Sequence, residues 1–259
     1  MSTLTAAIES VQAAGNKAFV PYIMAGDGGL QTLRPTILRL QQIGVTAIEV
    51  GIPFTDPVAD GPTIEEAGYR ALKHGATLRT VLQELASFRD DITVPLVAMT
   101  YLNPILAYGA EAFAKDAKAA GIEGIIVPDM PLEESDIIHS ALRSEQVDLI
   151  QLVSLTSSPE RIAKLTAASE GFVYAVTVNG ITGARQAFQE ELQHHFAQLA
   201  TYTKTPILAG FGISTPEHVQ ALGAISSGVI VGSKIVDALT RDDWSSIEAL
   251  VAATKAGKQ

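Results

Sequence analysis

Eight short runs rich in Val, Ile and Ala, separated by helical patterns and spread over 259 residues, predict an α/β chain folded as a (β/α)8 TIM barrel. The runs are AFVPYI (18–23), AIEVG (47–51), PLVAMT (95–100), GIIVP (124–128), DLIQLV (148–153), FVYAVT (172–177), PILAG (206–210) and GVIVG (228–232). They are almost continuously apolar, as parallel strands covered on both faces are. Several intervening helical patterns stop at a glycine just ahead of the next run, at Gly44, Gly121 and Gly171, the placement of a left-handed helix cap. An open doubly wound sheet shares this alternation and stays a rival on pattern alone.

Taken in order, residues 2–14 read as an extra N-terminal helix that closes the bottom of the barrel. After the first strand, Leu30, Leu33, Ile37 and Leu40 recur at spacings of three and four and so share one helix face. The second strand leads into a loop of about ten residues, longer than an ordinary βα connection. Prolines at 53, 57 and 62 stiffen it, and Thr63 with Glu66 reads as a capping box for the helix that follows. After strand eight, a short helix is expected from near Ser233. The last outer helix spans 243–256, with Trp244, Ile247, Leu250 and Val251 on one stripe. No linker or low-complexity stretch interrupts the pattern, so residues 1–259 are expected to form one barrel domain.

Composition narrows the chemistry. A formal charge of −10 disfavours a nucleic-acid backbone as partner, because such binding needs clustered Lys and Arg. The chain has no cysteine, which removes thiolate catalysis and thiolate metal ligands and fits a reducing, cytoplasmic setting. No run approaches the roughly 18 apolar residues of a membrane span, and the N-terminus lacks a secretory pattern. The five histidines have no metal-ligand spacing, so no metal site is expected. No lysine is placed to reach into the barrel as a Schiff-base amine, and no Ser, His and Asp constellation stands out.

In such barrels chemistry gathers at the carboxyl ends of the strands. Within AIEVG, alternation turns Ile48 and Val50 outward and Ala47, Glu49 and Gly51 toward the axis. Glu49 is then either a strand-end carboxylate turning to solvent or a neighbouring cation, or a carboxyl in a poorly hydrated pocket with a proton affinity suited to proton transfer. Asp60 lies free of the expected capping box and open to a ligand. Three glycine-bearing loops, NGITG (179–183), GFGIST (210–215) and VGSKI (231–235), follow the last three strands. The backbone N–H groups of Gly183, Gly212, Gly232 and Ser233 form a candidate phosphate cradle, aided by the positive end of the helix near Ser233.

The stretches VPYIMAGD (20–27), EVGIPFTDPVADGP (49–62), TYLNPI (100–105), VPDMPLEE (127–134), GFGIST (210–215) and GVIVGS (228–233) resemble, in order and through most of the chain, the tryptophan synthase alpha chain family. The resemblance implies a barrel that cleaves indole-3-glycerol phosphate to indole and glyceraldehyde 3-phosphate. It implies no cofactor in this chain, with pyridoxal phosphate held by a beta chain in an α2β2 complex. Carried over by position, Glu49 is the acid/base group and Asp60 the partner of the indole N–H. Tyr22, Tyr101, Tyr174, Thr182, Gly183 and Phe211 would line the substrate site, and Gly212, Gly232 and Ser233 would hold the phosphate. The loop around Thr182 and Arg185 corresponds to a lid. Pro53, Asp56, Asn103, Pro104 and Pro131 fall where the family meets the beta chain. TVNGITG departs from the serine-containing forms of its loop, and LVSLTSSPERI lacks a proline common after strand five. A stand-alone lyase, another phosphosugar enzyme on the same barrel, and an inactive activator of a beta chain are the alternatives.

Overall fold

A computed structural model describes residues 2–177, 185–210 and 212–255, with backbone alone for 185–189. Its parallel strands are β1 (Ala18–Met24), β2 (Ile48–Gly51), β3 (Leu96–Met99), β4 (Ile122–Ile126), β5 (Asp148–Leu149), β6 (Gln151–Ser154), β7 (Val173–Val176), β8 (Ile207–Gly210) and β9 (Gly228–Val231). Their spatial order is β5-β4-β3-β2-β1-β9-β8-β7-β6. The two ends of that order are halves of one run, split at Ile150. The Ile150 N–H still donates to the Ile125 carbonyl at 3.0 Å, which continues the pairing to β4. The next N–H, of Gln151, turns instead to the Ser169 hydroxyl at 3.0 Å. The expected fifth strand is therefore present but broken, and through it the sheet closes into a barrel rather than lying open.

Strand alternation sorts the apolar side chains into two environments. Ile48 and Val50 of β2 pack with the surrounding helices. Ala18 and Val20 of β1, Ala47, Val97, Ile126, Phe172, Leu208 and Ile230 fill the axis. The first helix, Thr3–Ala13, closes the lower end, as expected: Leu4 and Ile8, both fully buried, join that axial cluster. Gly124 makes room for it, since a Cβ there would lie 2.6 Å from a Leu4 methyl. The helix is anchored by the Thr5 hydroxyl, which donates to the Gly171 carbonyl at 2.8 Å.

Helix ends follow local chemistry with two departures from expectation. Gly44 caps its helix in the left-handed region, φ 91°, and Gly121 adopts φ 83° one residue past the cap of its helix. Gly171 is also left-handed, but its helix has already ended at Ala168, so it shapes the connection to β7 and caps nothing. The capping box of Thr63 and Glu66 does not form. The helix Pro62–Lys73 starts from Gly61 with no side-chain cap. Proline at the first helical position is already set for helical φ, so the helix begins two residues early and Thr63 falls inside its first turn.

Candidate active site

The upper half of the barrel encloses a cavity of about 550 Å³, walled by both carboxylate-bearing segments, β7 and the loops after β8 and β9. Glu49 points into it from β2, opposite Tyr22 of β1 and Val97 of β3 in the strand register. The carboxyl is 2% exposed, and its Oε2 has no hydrogen-bond partner among the described residues. Loss of hydration, with a smaller contribution from the negative charge of Asp60, pushes its pKa up to about 8. The solvent-turned alternative is thereby excluded, since the group is buried and unpaired.

Asp60 faces the same cavity from the loop above and is half-buried. Burial pushes its pKa up to about 6, and the Glu65 charge adds to this, while a hydrogen bond from Tyr101 holds it down. The two carboxyls thus differ in proton affinity by about 2 units, the difference between the two values, with Glu49 the stronger base. Near pH 7 the favoured state is Glu49 protonated and Asp60 ionised, as expected of interacting groups in unlike surroundings.

Three tyrosines shape the walls. Tyr22 and Tyr174 lie across the axis, and each leans over a glycine of the neighbouring strand. A Cβ on Gly51 would meet the Tyr22 hydroxyl at 1.9 Å, and one on Gly210 the Tyr174 ring at 2.2 Å. Glycine is required at both positions by this close approach. Desolvation, then neighbouring carboxylates, keeps both phenols neutral by raising their pKa well above the ordinary value. Tyr101 stands just outside. It stacks on Phe54 at 5.3 Å and accepts the Ala59 N–H at 3.0 Å, fixing the loop that carries Asp60.

At the opposite wall, Gly212, Gly232 and Ser233 line the cavity beside the start of the helix Ser233–Thr240. Gly212 sits at φ 75°. The first amides of a helix lack intrahelical partners, so this corner offers N–H donors and a positive dipole end to an anion. Lys234 also lines the cavity, a position to which the sequence assigned no role. Its place directly after Ser233 at a helix start was the available signal. Ile64, Met99, Ile126 and Leu152 were missed too, since nothing in a single sequence separates an apolar wall from an apolar core. Thr182, Gly183 and Phe211 lie outside the described residues, as does the side chain of Arg185.

Of the residues expected to meet a partner, Asp56, Asn103 and Pro131 are exposed and Pro104 is half-buried around the mouth. Val58, 81% exposed, stands among them on the Asp60 loop. Pro53 is the exception. It is buried within the chain at the start of the loop that carries Asp60. Asp129 accepts the Leu102 N–H at 3.0 Å and so ties the helix bearing Asn103 and Pro104 to the segment bearing Pro131. No described helix is long and apolar enough to cross a membrane. Among the described residues no group of three or more His, Asp or Glu is disposed to hold a metal ion.

A family model described as tryptophan synthase alpha chain matches residues 8–258. A curated tryptophan synthase alpha chain of Bacillus cereus is 50% identical over 251 residues, covering 96% of this chain and 97% of the relative. The fold is similar to the crystal structure of the tryptophan synthase alpha chain from Legionella pneumophila, with TM-score 0.88, 30% identity and 100% of each chain covered. It is likewise similar to tryptophan synthase from M. tuberculosis in an aminoacrylate-bound form, with TM-score 0.88, 32% identity, 98% of this chain and 100% of that one covered.

Proposed function

This chain belongs to the tryptophan synthase alpha chain family, and we propose that its cavity performs the retro-aldol cleavage of indole-3-glycerol phosphate to indole and glyceraldehyde 3-phosphate. The observation that carries this reading is the pair of carboxyls of unlike proton affinity facing one largely apolar cavity, with an anion-binding corner across from them.

The cleavage needs a proton delivered to C3 of the indole and a proton removed from the glycerol hydroxyl next to the bond that breaks. Protonated Glu49 donates the first and becomes a carboxylate. As the C–C bond breaks, its electron pair returns to the ring, and Glu49 takes the hydroxyl proton as the aldehyde forms. The residue ends in its starting state, so the cycle closes without a cofactor in this chain. Ionised Asp60 accepts the indole N–H and stabilises the positive charge that develops on the ring, an interaction strengthened by the scarcity of water. The apolar walls, Tyr22 and Tyr174 enclose the ring, Tyr101 holds the loop that brings Asp60 to it, and Gly212, Gly232 and Ser233 hold the phosphate.

The partner assigned to this chain is a tryptophan synthase beta chain, which carries pyridoxal phosphate and receives the indole in an α2β2 complex. Its docking face is the rim around Asp56, Val58, Asn103 and Pro131. Indole release from indole-3-glycerol phosphate, assayed with and without a cognate beta chain, tests activity and partner together. Inert substrate under both conditions would overturn the reading. A rate that the beta chain does not change would favour the stand-alone lyase. Activity should rise as Asp60 ionises and fall as Glu49 does, giving a bell-shaped profile with limbs near pH 6 and 8. A profile flat from pH 5 to 9 would exclude this division of roles.

A further inference from the structure

The barrel wall is open along one seam. At the level of the mouth, neighbouring strands stay joined past their ends: the Ala25 N–H donates to the Gly51 carbonyl at 2.9 Å, Ile52 to Met99 at 2.9 Å, Thr100 to Ile126 at 3.1 Å and Thr177 to Gly210 at 2.9 Å. Between β4 and β6 the pairing ends lower, with the bond from Ile150 to Ile125. The next acceptor in line, the Val127 carbonyl, takes the N–H of Met130 at 3.2 Å, within its own segment. A partly open pocket of about 220 Å³ occupies this seam, between the segment after β4, strand β6 and the helix Pro159–Ala168. Its lining is mixed and specifies no ligand of its own; what it supplies is room. Two half-buried residues, Pro128 and Leu152, line both this pocket and the large cavity and so stand as the partition between them.

On the retro-aldol reading of the larger cavity, on which this rests, we propose that Leu152 sets its ring specificity by stopping the benzo edge of the indole short of the seam. Around the barrel, the loops after β8 and β9 that carry the anion-binding corner lie across the axis from β3 and β4. The phosphate is held at Gly212, Gly232 and Ser233, C3 faces Glu49 and the ring N–H faces Asp60. The ring carbons farthest from all three, C5 and C6, then reach toward Met99, Ile126, Pro128 and Leu152. Met99 and Ile126 stand opposite each other on strands that remain paired. Leu152 has the seam pocket behind it. Shortening Leu152 therefore joins the cavity to the seam, whereas shortening a side chain on a paired strand yields only the volume of the lost atoms. One extra methyl group against an apolar pocket wall is worth roughly 10- to 200-fold in discrimination, and that is the selectivity Leu152 supplies.

The test is cleavage of indole-3-glycerol phosphate and of its 5-methyl and 6-methyl analogues by the full chain, with kcat and KM separated. The parent should prefer the unsubstituted substrate by roughly 10- to 200-fold over at least one analogue. Leu152→Ala should erase most of that preference, with a lower KM for the analogue and a higher one for the unsubstituted ring, which loses contacts. Leu152→Met, close in volume, should keep the parent's preference. Ile230→Val also enlarges the cavity, but on β9 between two paired strands, and should gain nothing on the analogues; a merely loosened fold would make the two variants alike. If circular dichroism shows Leu152→Ala unfolded, Leu152→Val carries the test, with a smaller shift in the same direction. A parent inert toward indole-3-glycerol phosphate would overturn the reaction itself. A parent that cleaves it and the analogues equally well, an unchanged preference in the shortened Leu152 variant, or an equal gain in Ile230→Val would overturn the role of Leu152 and leave the reaction standing.

Discussion

The two ends of the barrel axis are built by one rule and put to opposite uses. At the lower end, inward-facing residues such as Ala18, Ala47 and Phe172 meet Leu4 and Ile8 of the first helix, and the axis is filled. At the upper end the same alternation delivers Tyr22, Glu49 and Tyr174, and the axis is left open as a cavity of about 550 Å³. Filling contributes stability. Leaving the top open places a carboxyl without a hydrogen-bond partner on one oxygen in a dry site, which costs stability and raises its proton affinity. A strand thus changes function within four residues, because each step of two moves an inward side chain from packed floor to reactive mouth.

Four substitutions sharpen this contrast, given from the largest expected effect downward. Glu49→Gln should lower kcat by roughly 10²–10⁴-fold, the range of general acid–base catalysis. The same change should not harm the fold. The pKa of Glu49 is raised from 4.5 to about 8, so the stability conferred by its protonated form is complete below pH 4.5 and is lost progressively as pH rises to about 8. Glutamine carries no such loss, and the variant should out-melt the parent at pH 8 or above by a margin of up to a few kcal/mol, but not at pH 4. A parent that melts higher at pH 9 would break the contrast. Asp60→Asn should cost about 10²–10³-fold in kcat, similar to the loss of one oriented electrostatic partner, and should remove the acidic limb of the pH profile.

At the floor the pattern should reverse. Leu4→Ala is expected to lower stability by about 2–5 kcal/mol through the cavity it opens, with kcat per folded molecule nearly unchanged. Denaturant melts paired with active-site titration would check this, and a loss of turnover without a loss of stability would contradict it. The smallest effect is expected from Gly51→Ala. Its methyl must displace the Tyr22 hydroxyl, at an overpacking cost of about 1–3 kcal/mol, and a raised KM should accompany the moved ring. Equal KM would show that Tyr22 does not touch the substrate.

Much of this was legible in the chain itself. Eight apolar runs place the strands, and alternation within AIEVG turns Glu49 inward, as the structure has it. Local readings failed where a neighbour intervened. Thr63 and Glu66 look like a capping box until Pro62 starts the helix two residues earlier. Gly171 looks like a cap until Ser169, whose hydroxyl serves Gln151, takes the cap position at the helix end. Pro53 reads as surface and is buried.

The sequence by itself determined the order of elements, the inward direction of Glu49 and the family, because periodicity and local motif are properties of the chain alone. Tertiary structure decided the proton affinities, since desolvation depends on what closes over a group and no local pattern records that. It decided that Tyr22 and Tyr174 lean over Gly51 and Gly210, pairs 29 and 36 positions apart by their residue numbers. These are distances between residues remote in the chain, and only the closing of the barrel sets them.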